Sequence, residues 1–267
     1  MVSQASKRRG TSALARALDL LLLFSFGSPA KTLAELSRDA GIPKSTTHRL
    51  LQPFVEKGLV VREAGNYALG LKLFELGMIA ARKMDIVRLG NPILDELTTA
   101  TGETSVLAVL VGHNYERVPV GQRVSPHPLH YAVSLGRRQE PTVGSMGKAI
   151  LSCLSDDELE LFLRRIDLPA FTSRSITDKA EFLEEIRRTR LRGFAISDEE
   201  FIDGGRSVAA VIRDARGRPV GGISVVGPTV RVIDQKVLEF GELVAQAASR
   251  LSALLASGLG MENEVRS

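Results

Sequence analysis

The sequence predicts an α+β protein in two parts: an N-terminal winged helix-turn-helix, then a linking helix and a larger domain built on an antiparallel sheet. Three observations predict it. Near the start, two short helical patterns meet at a glycine turn and are followed by a hairpin pattern. Further on, strand and helix patterns mix without the regular alternation of a parallel sheet. The charge is also uneven: residues 1–70 carry ten Lys or Arg against five Asp or Glu, so this segment holds +5 of a chain total of +4, leaving −1 for the rest.

The elements follow in order. Residues 1–10, with Lys7, Arg8 and Arg9, form a basic arm with too few apolar side chains to pack and are expected to be disordered. From Ser12 to Phe26, Leu14, Ala17, Leu18, Leu21 and Leu22 recur at helical spacing until Gly27-Ser28-Pro29 ends the helix. The stripe of Leu14, Leu18 and Leu21 either pairs two such domains or forms this domain's own core. Thr32 and Glu35 make a capping box for a helix from about Leu33 to Ala40, and Gly41 stops it. Pro43 suits a first helical position, so Ser45–Lys57 forms a third helix before Gly58. Leu59–Arg62 and Tyr67–Leu69 flank a turn at Ala64-Gly65, a hairpin that completes a winged helix over residues 11–70.

Leu71–Arg88 reads as a connecting helix ending near Gly90-Asn91-Pro92, which sets a linker at 71–90 and a second domain at 91–258. In that domain, Pro92–Thr101 reads as a helix, and Val106–Val111, Arg117–Val124 and Leu129–Val133 as strands. Helices follow at Gly147–Leu154, after the capping box of Ser155 and Glu158, and at Asp178–Leu191. Strands at Phe194–Ser197, Ser207–Arg213 and Val220–Val226 precede a long helix at Asp234–Ala256. Residues 259–267 read as a flexible tail.

Composition excludes several classes. With 44% apolar and 25% charged residues the chain is an ordinary globular one, neither disordered nor collagenous. A single cysteine, Cys153, permits no internal disulfide and fits a reducing, cytoplasmic setting. The apolar run Leu20–Phe24 is far short of the roughly 20 residues of a membrane span, so no membrane association is expected. A small basic segment on a near-neutral larger one is what a nucleic-acid module on a sensing or catalytic domain looks like, because counterion release rewards the surface that meets phosphate.

The third helix opens Lys44-Ser45-Thr46-Thr47-His48-Arg49, with hydroxyls and long basic side chains on its first two turns. A recognition helix presents those positions to the major groove, where hydroxyls and helix-end amides hold phosphate and Arg or His reaches guanine acceptors. On the wing, Arg62 and Asn66 reach the neighbouring backbone or minor groove. Tyr67 either joins them or packs beneath the hairpin.

These residues resemble a known family. Leu33-Ala34-Glu35-Leu36, Gly41 through Leu50, Gly58-Leu59-Val60, Tyr67 through Gly70 and Leu76-Gly77 are similar to the DNA-binding domain of the IclR transcription regulators. Gly147-Lys148-Ala149, Thr177, Gly193-Phe194, Asp198–Glu200, Gly204 or Gly205, Ala209-Ala210 and Ser224–Pro228 follow in the order of that family's second domain. The resemblance covers roughly residues 12–257. It implies a GAF- or PAS-like effector domain, assembly as a homodimer or tetramer, and control of double-stranded operator DNA, as a repressor more than an activator. It also implies a small, carboxylate-bearing effector. The family's pocket positions fall on Ser145, Met146 and Gly147, at a helix start whose amides suit a carboxylate, and on Ser197, Ser207 and Ser224. Small-acid-binding relatives tend to have Asp at position 197, Cys at 207 and Ser at 226, so this chain's Ser197, Ser207 and Val226 locate a pocket without naming its ligand.

Other signals weigh less. Gly144 through Lys148 lacks the spacing and the following hydroxyl of a phosphate loop. Cys153 shares a helical face with Met146, Ala149 and Ile150 and reads as a packed thiol rather than a nucleophile. His127 and His130 are spaced to opposite faces of a strand, so no metal site is expected. Arg206, beside Ser207, points away from it in a strand and reads as a surface residue. The acids at 198–200 cannot all converge on one site. The alternative, an enzyme tethered to nucleic acid, lacks a nucleophile with a base in reach, so neither catalytic residues nor a cofactor are expected.

Overall fold

The computed structural model describes residues 12–257, so the arm at 1–10 and the tail at 259–267 lie outside the described residues. The chain divides between Lys83 and Met84 into two compact units.

The first unit contains α1 (Ala13–Leu21), β1 (Ala30–Thr32), α2 (Leu33–Ala40), α3 (Lys44–Glu56), β2 (Val60–Glu63), β3 (Asn66–Leu69) and α4 (Leu71–Arg82). The predicted capping box closes as expected: Glu35 N donates to Thr32 Oγ1 at 3.2 Å and Thr32 N to Glu35 Oε2 at 2.7 Å. Gly41 is left-handed at the end of α2, which turns the chain sharply into α3. Strand β3 pairs antiparallel with both β2 and β1. The unpredicted strand β1 has three residues, too short to leave a periodic signal. Leu20, Phe24, Leu36, Leu51, Val60 and Tyr67 form the core.

The second unit contains α5 (Asp85–Thr101), β4 (Thr104–Val111), β5 (Glu116–Arg123), α6 (Gly144–Leu151), α7 (Asp156–Leu163), α8 (Lys179–Arg192), β6 (Ala195–Asp198), β7 (Gly205–Arg213), β8 (Pro219–Pro228) and α9 (Asp234–Ala256). Its antiparallel sheet has the order β5-β4-β8-β7-β6. Alternation sorts the strand residues to two faces. Leu107, Val208, Ala210, Ile212, Ile223 and Val225 pack with α5 and α9, whereas Val106, Ala108, Ala195 and Ala209 pack with α6.

The structure corrects three sequence expectations. The helix from Leu71 breaks at Lys83-Met84, where Met84 is extended, and α5 then runs through Pro92 without stopping. Pro92 is on the exposed side of α5, where a missing amide costs one bond. Gly90 serves close packing rather than termination, because a Cβ there would lie 2.7 Å from Leu107 Cδ2.

Second, residues 129–133 form no strand. Pro126 and Pro128 remove ladder donors just before them, and the Gln122 side chain takes the role of a partner strand. Its Nε2 donates to Val133 O at 3.1 Å, and its Oε1 accepts from Val133 N at 3.0 Å. Third, α6 begins at Gly144, three residues before the expected start, and ends at Leu151.

Candidate functional site

In the first unit, α3 begins without a side-chain cap, its first-turn amides following Pro43. Uncapped amides at a helix N-terminus are donors aimed outward and suited to phosphate. Lys44, Ser45, His48 and Arg49 are exposed there, and Thr46 is half-buried. Thr47 is a correction: it is fully buried, and its hydroxyl donates to Pro43 O at 3.1 Å, so its side chain is spent inside the domain. Thr47 falls on the same side of α3 as Leu51, four residues on, which is also buried.

On the wing, the exposed turn Ala64-Gly65 has positive φ at both residues, the twist a two-residue hairpin favours. Arg62 and Asn66 are exposed beside it. Tyr67 is buried in the core under the hairpin, with Arg62 5.8 Å above its ring, so the packing alternative holds and its candidacy as a DNA contact is withdrawn.

The second unit contains a cavity of about 500 Å³ on the α6 face of the sheet. Five of the six residues expected at an effector site line it: Ser145, Met146, Ser197, Ser207 and Ser224. Strand register brings them together. Ser197 is opposite Ser207, and Ser224 is opposite Ala209, two residues further along the same face. Ser145 Oγ and Ser207 Oγ are 2.7 Å apart, linking α6 to β7. Gly147 is set back from the lining. A Cβ on it would meet Pro141 O at 2.2 Å, so glycine there lets the preceding loop close against α6.

Much of the lining was not legible in the sequence. The loop after β5 contributes Tyr131, Val133 and Arg137, while Phe171 and Phe201 form an edge-to-face pair at 5.0 Å. Arg117 also lines the cavity, on the face of β5 opposite that of Val118 and Val120. A bulge at Val120, between the Leu107 and Ala108 pairings, then brings Gln122 onto the same α6 face as Arg117 and Pro119.

The remaining charged candidates have other partners. Arg206 faces away from the cavity, as strand alternation requires, and pairs with Asp198 at 2.6 Å and Asp234 at 2.7 Å. The acids at 198–200 diverge: Asp198 meets Arg206, Glu199 accepts from Gly204 N, and Glu200 meets Lys148. Burial pushes the half-buried Cys153 thiol up, away from a reactive thiolate. His127 and His130 are exposed, and the described residues contain no group of three or more His, Cys, Asp or Glu able to hold a metal. No helix among the described residues is long and apolar enough to cross a membrane.

Comparison with known proteins agrees with both halves. Residues 13–64 match the IclR helix-turn-helix domain, and residues 78–253 match the C-terminal domain of the bacterial transcriptional regulator IclR. The transcriptional repressor IclR of Escherichia coli K12 is 33% identical over 241 residues, covering 90% of this chain and 88% of that one. A transcriptional regulator from Rhodococcus sp. RHA1 has a similar structure, with a TM-score of 0.81 at 27% identity over 92% of this chain and 98% of its own. An IclR homolog from Microbacterium hydrocarbonoxydans, solved with 4-hydroxybenzoate, shares the fold at a TM-score of 0.78 and 22% identity, covering 92% of this chain and 100% of that one. The chain belongs to the IclR family of bacterial transcription regulators, which are DNA-binding proteins and not enzymes.

Proposed function

We propose that the protein is a cytoplasmic repressor that binds operator DNA through α3 and the β2–β3 wing and responds to a small anionic metabolite in the cavity of the second unit. The observation that carries it is the convergence of Ser145, Met146, Ser197, Ser207 and Ser224 on one space beside the start of a helix. Amides at that start favour negative charge, and the serines complete a shell of donors. The name of the Escherichia coli relative supports repression, and the 4-hydroxybenzoate in the Microbacterium relative supports a carboxylate.

The working form is a homodimer or a tetramer. Leu14 (68% exposed) and Leu18 on α1 are bare, as is Leu22 just after it, whereas Leu21 packs on the unit's own core, and α4 buries none of its residues while exposing Leu71, Phe74, Met78 and Ile79. A second copy of the chain covers such surface and sets two recognition helices against paired half-sites. Effector binding then shifts an equilibrium between two spacings of those helices, with α4 as the mechanical link.

Fluorescence anisotropy tests this with the protein's own upstream intergenic DNA and a shuffled duplex across a salt series. Much tighter binding of the native duplex, with a steep salt slope, is expected. Equal binding of the two duplexes overturns the assignment of that operator and of sequence-specific reading through α3.

A further inference from the structure

We propose that Arg117 makes the cavity selective for an anionic ligand, its buried and unbalanced charge drawing a carboxylate to the wall formed by β5 and the start of α6. This inference rests on the ligand-binding reading above and names the residue that decides its specificity.

Arg117 is 2% exposed, yet it has no carboxylate partner among the ion pairs of the described residues. Its guanidinium donates to two neutral acceptors, Glu140 O at 2.6 Å and Val143 O. Its Nε–H is buried without any acceptor. A guanidinium removed from water normally needs a paired carboxylate, because the desolvation penalty of several kcal/mol is otherwise poorly repaid. Burial lowers its pKa to about 10, with Glu140 opposing the shift, which still leaves the cation fully formed at neutral pH.

The neighbouring helix adds to the imbalance. α6 has no acidic residue in its first turn and no side-chain cap at Val143. A Cβ on Gly147 would lie 3.1 Å from Arg117 Nη1, so the guanidinium is pressed against the start of the helix. Two positive poles, a full charge and the end of a helix dipole, therefore share one wall with no anion between them. The same wall has the Ser145–Ser207 hydroxyl pair. Arg137 stands at the rim, while Tyr131, Phe171 and Phe201 offer apolar surface for the body of a ligand. A carboxylate on this wall balances the buried charge, and in a water-poor interior that attraction is strong. A neutral amide of the same shape does not.

The test compares the full-length protein with Arg117→Met, Arg117→Gln and Arg117→Lys by thermal shift and calorimetry. The probes are straight-chain monocarboxylates of two to eight carbons, benzoate and 4-hydroxybenzoate, each beside its primary amide. The wild type is expected to bind at least one carboxylate and to prefer it over the amide by tenfold or more. Arg117→Met and Arg117→Gln lose that preference, whereas Arg117→Lys keeps it with weaker binding. Removing an uncompensated buried cation also leaves the melting temperature of the ligand-free Met variant unchanged or raised. If that variant does not fold, the Gln and Lys pair gives the same comparison.

A purely structural clamp gives the opposite pattern, a lower melting temperature with the carboxylate-to-amide ratio intact, and this overturns the inference while leaving the cavity a ligand site. Amides binding as well as carboxylates in the wild type overturns anion selectivity and the role of Arg117 together. No binding by any probe overturns both this inference and the small-acid reading on which it rests.

Discussion

The ammonium of Lys148, 1% exposed, lies 2.8 Å from Glu200 Oε2 and joins α6 to the segment that carries Phe201 to the cavity. The Glu185 carboxylate stands 3.9 Å away on α8. A sequence pattern that superficially suggests a phosphate-binding lysine is therefore an internal ion pair. Removing one partner of a buried pair is costly because the other charge stays behind. Lys148→Met should destabilise the protein by about 3–5 kcal/mol, and a second change, Glu200→Met, should recover most of the loss. Urea unfolding of the single and double variants measures both, and a double variant as unstable as the single one contradicts this account.

Exposure divides the residues of the recognition helix. Arg49→Ala should weaken operator binding and lower the salt slope by about one, with effector affinity unchanged. Thr47→Ala removes a buried hydroxyl instead, so its effect should appear in the melting temperature and leave the salt slope alone. Anisotropy titrations at several salt concentrations separate these two kinds of loss.

Tyr67 provides a related check on the wing. Tyr67→Ala empties a place in the core of the first unit and should cost about 3–5 kcal/mol of that unit's stability. Hydrogen exchange resolved by segment should show the loss within residues 12–83. A variant of native stability that had lost DNA affinity would restore Tyr67 as a contact.

Gly147→Ala places a methyl group 2.2 Å from the Pro141 carbonyl oxygen, a backbone atom with little room to retreat. Strain of about 1–3 kcal/mol is expected, together with weaker effector binding, since the loop before α6 lines the cavity. Calorimetry and thermal melts on one preparation test the pair of effects.

Asp156 supplies a pH dependence. Hydrogen bonds from Arg190 and Arg187 hold its carboxyl below the usual range. A depressed carboxylate pKa stabilises the fold fully above the group's ordinary value and loses that contribution as pH falls through the lower, folded value. Asp156→Asn should therefore flatten the acid limb of the stability curve and leave its slope above neutrality unchanged.

The sequence by itself determined the elements with a local cause. The capping box of Thr32 and Glu35, the left-handed Gly41 and the hairpin turn are written in residues a few positions apart, so the winged helix was legible. Strand alternation likewise put Arg206 and Ser207 on opposite faces. Tertiary structure decided what depends on distant partners. Pro92 looked like a stop but passes through α5 on its exposed side, and Gly90 looked like a linker but admits Leu107. Residues 129–133 lost their strand to the Gln122 side chain. Of the site, the serines and Met146 were readable through family resemblance, while Arg117 was not, because both faces of the sheet are covered and strand parity alone does not say which of them meets the cavity. Whether a charged side chain is buried, and whether anything there balances it, depends on chain segments that meet in space, which local spacing does not encode.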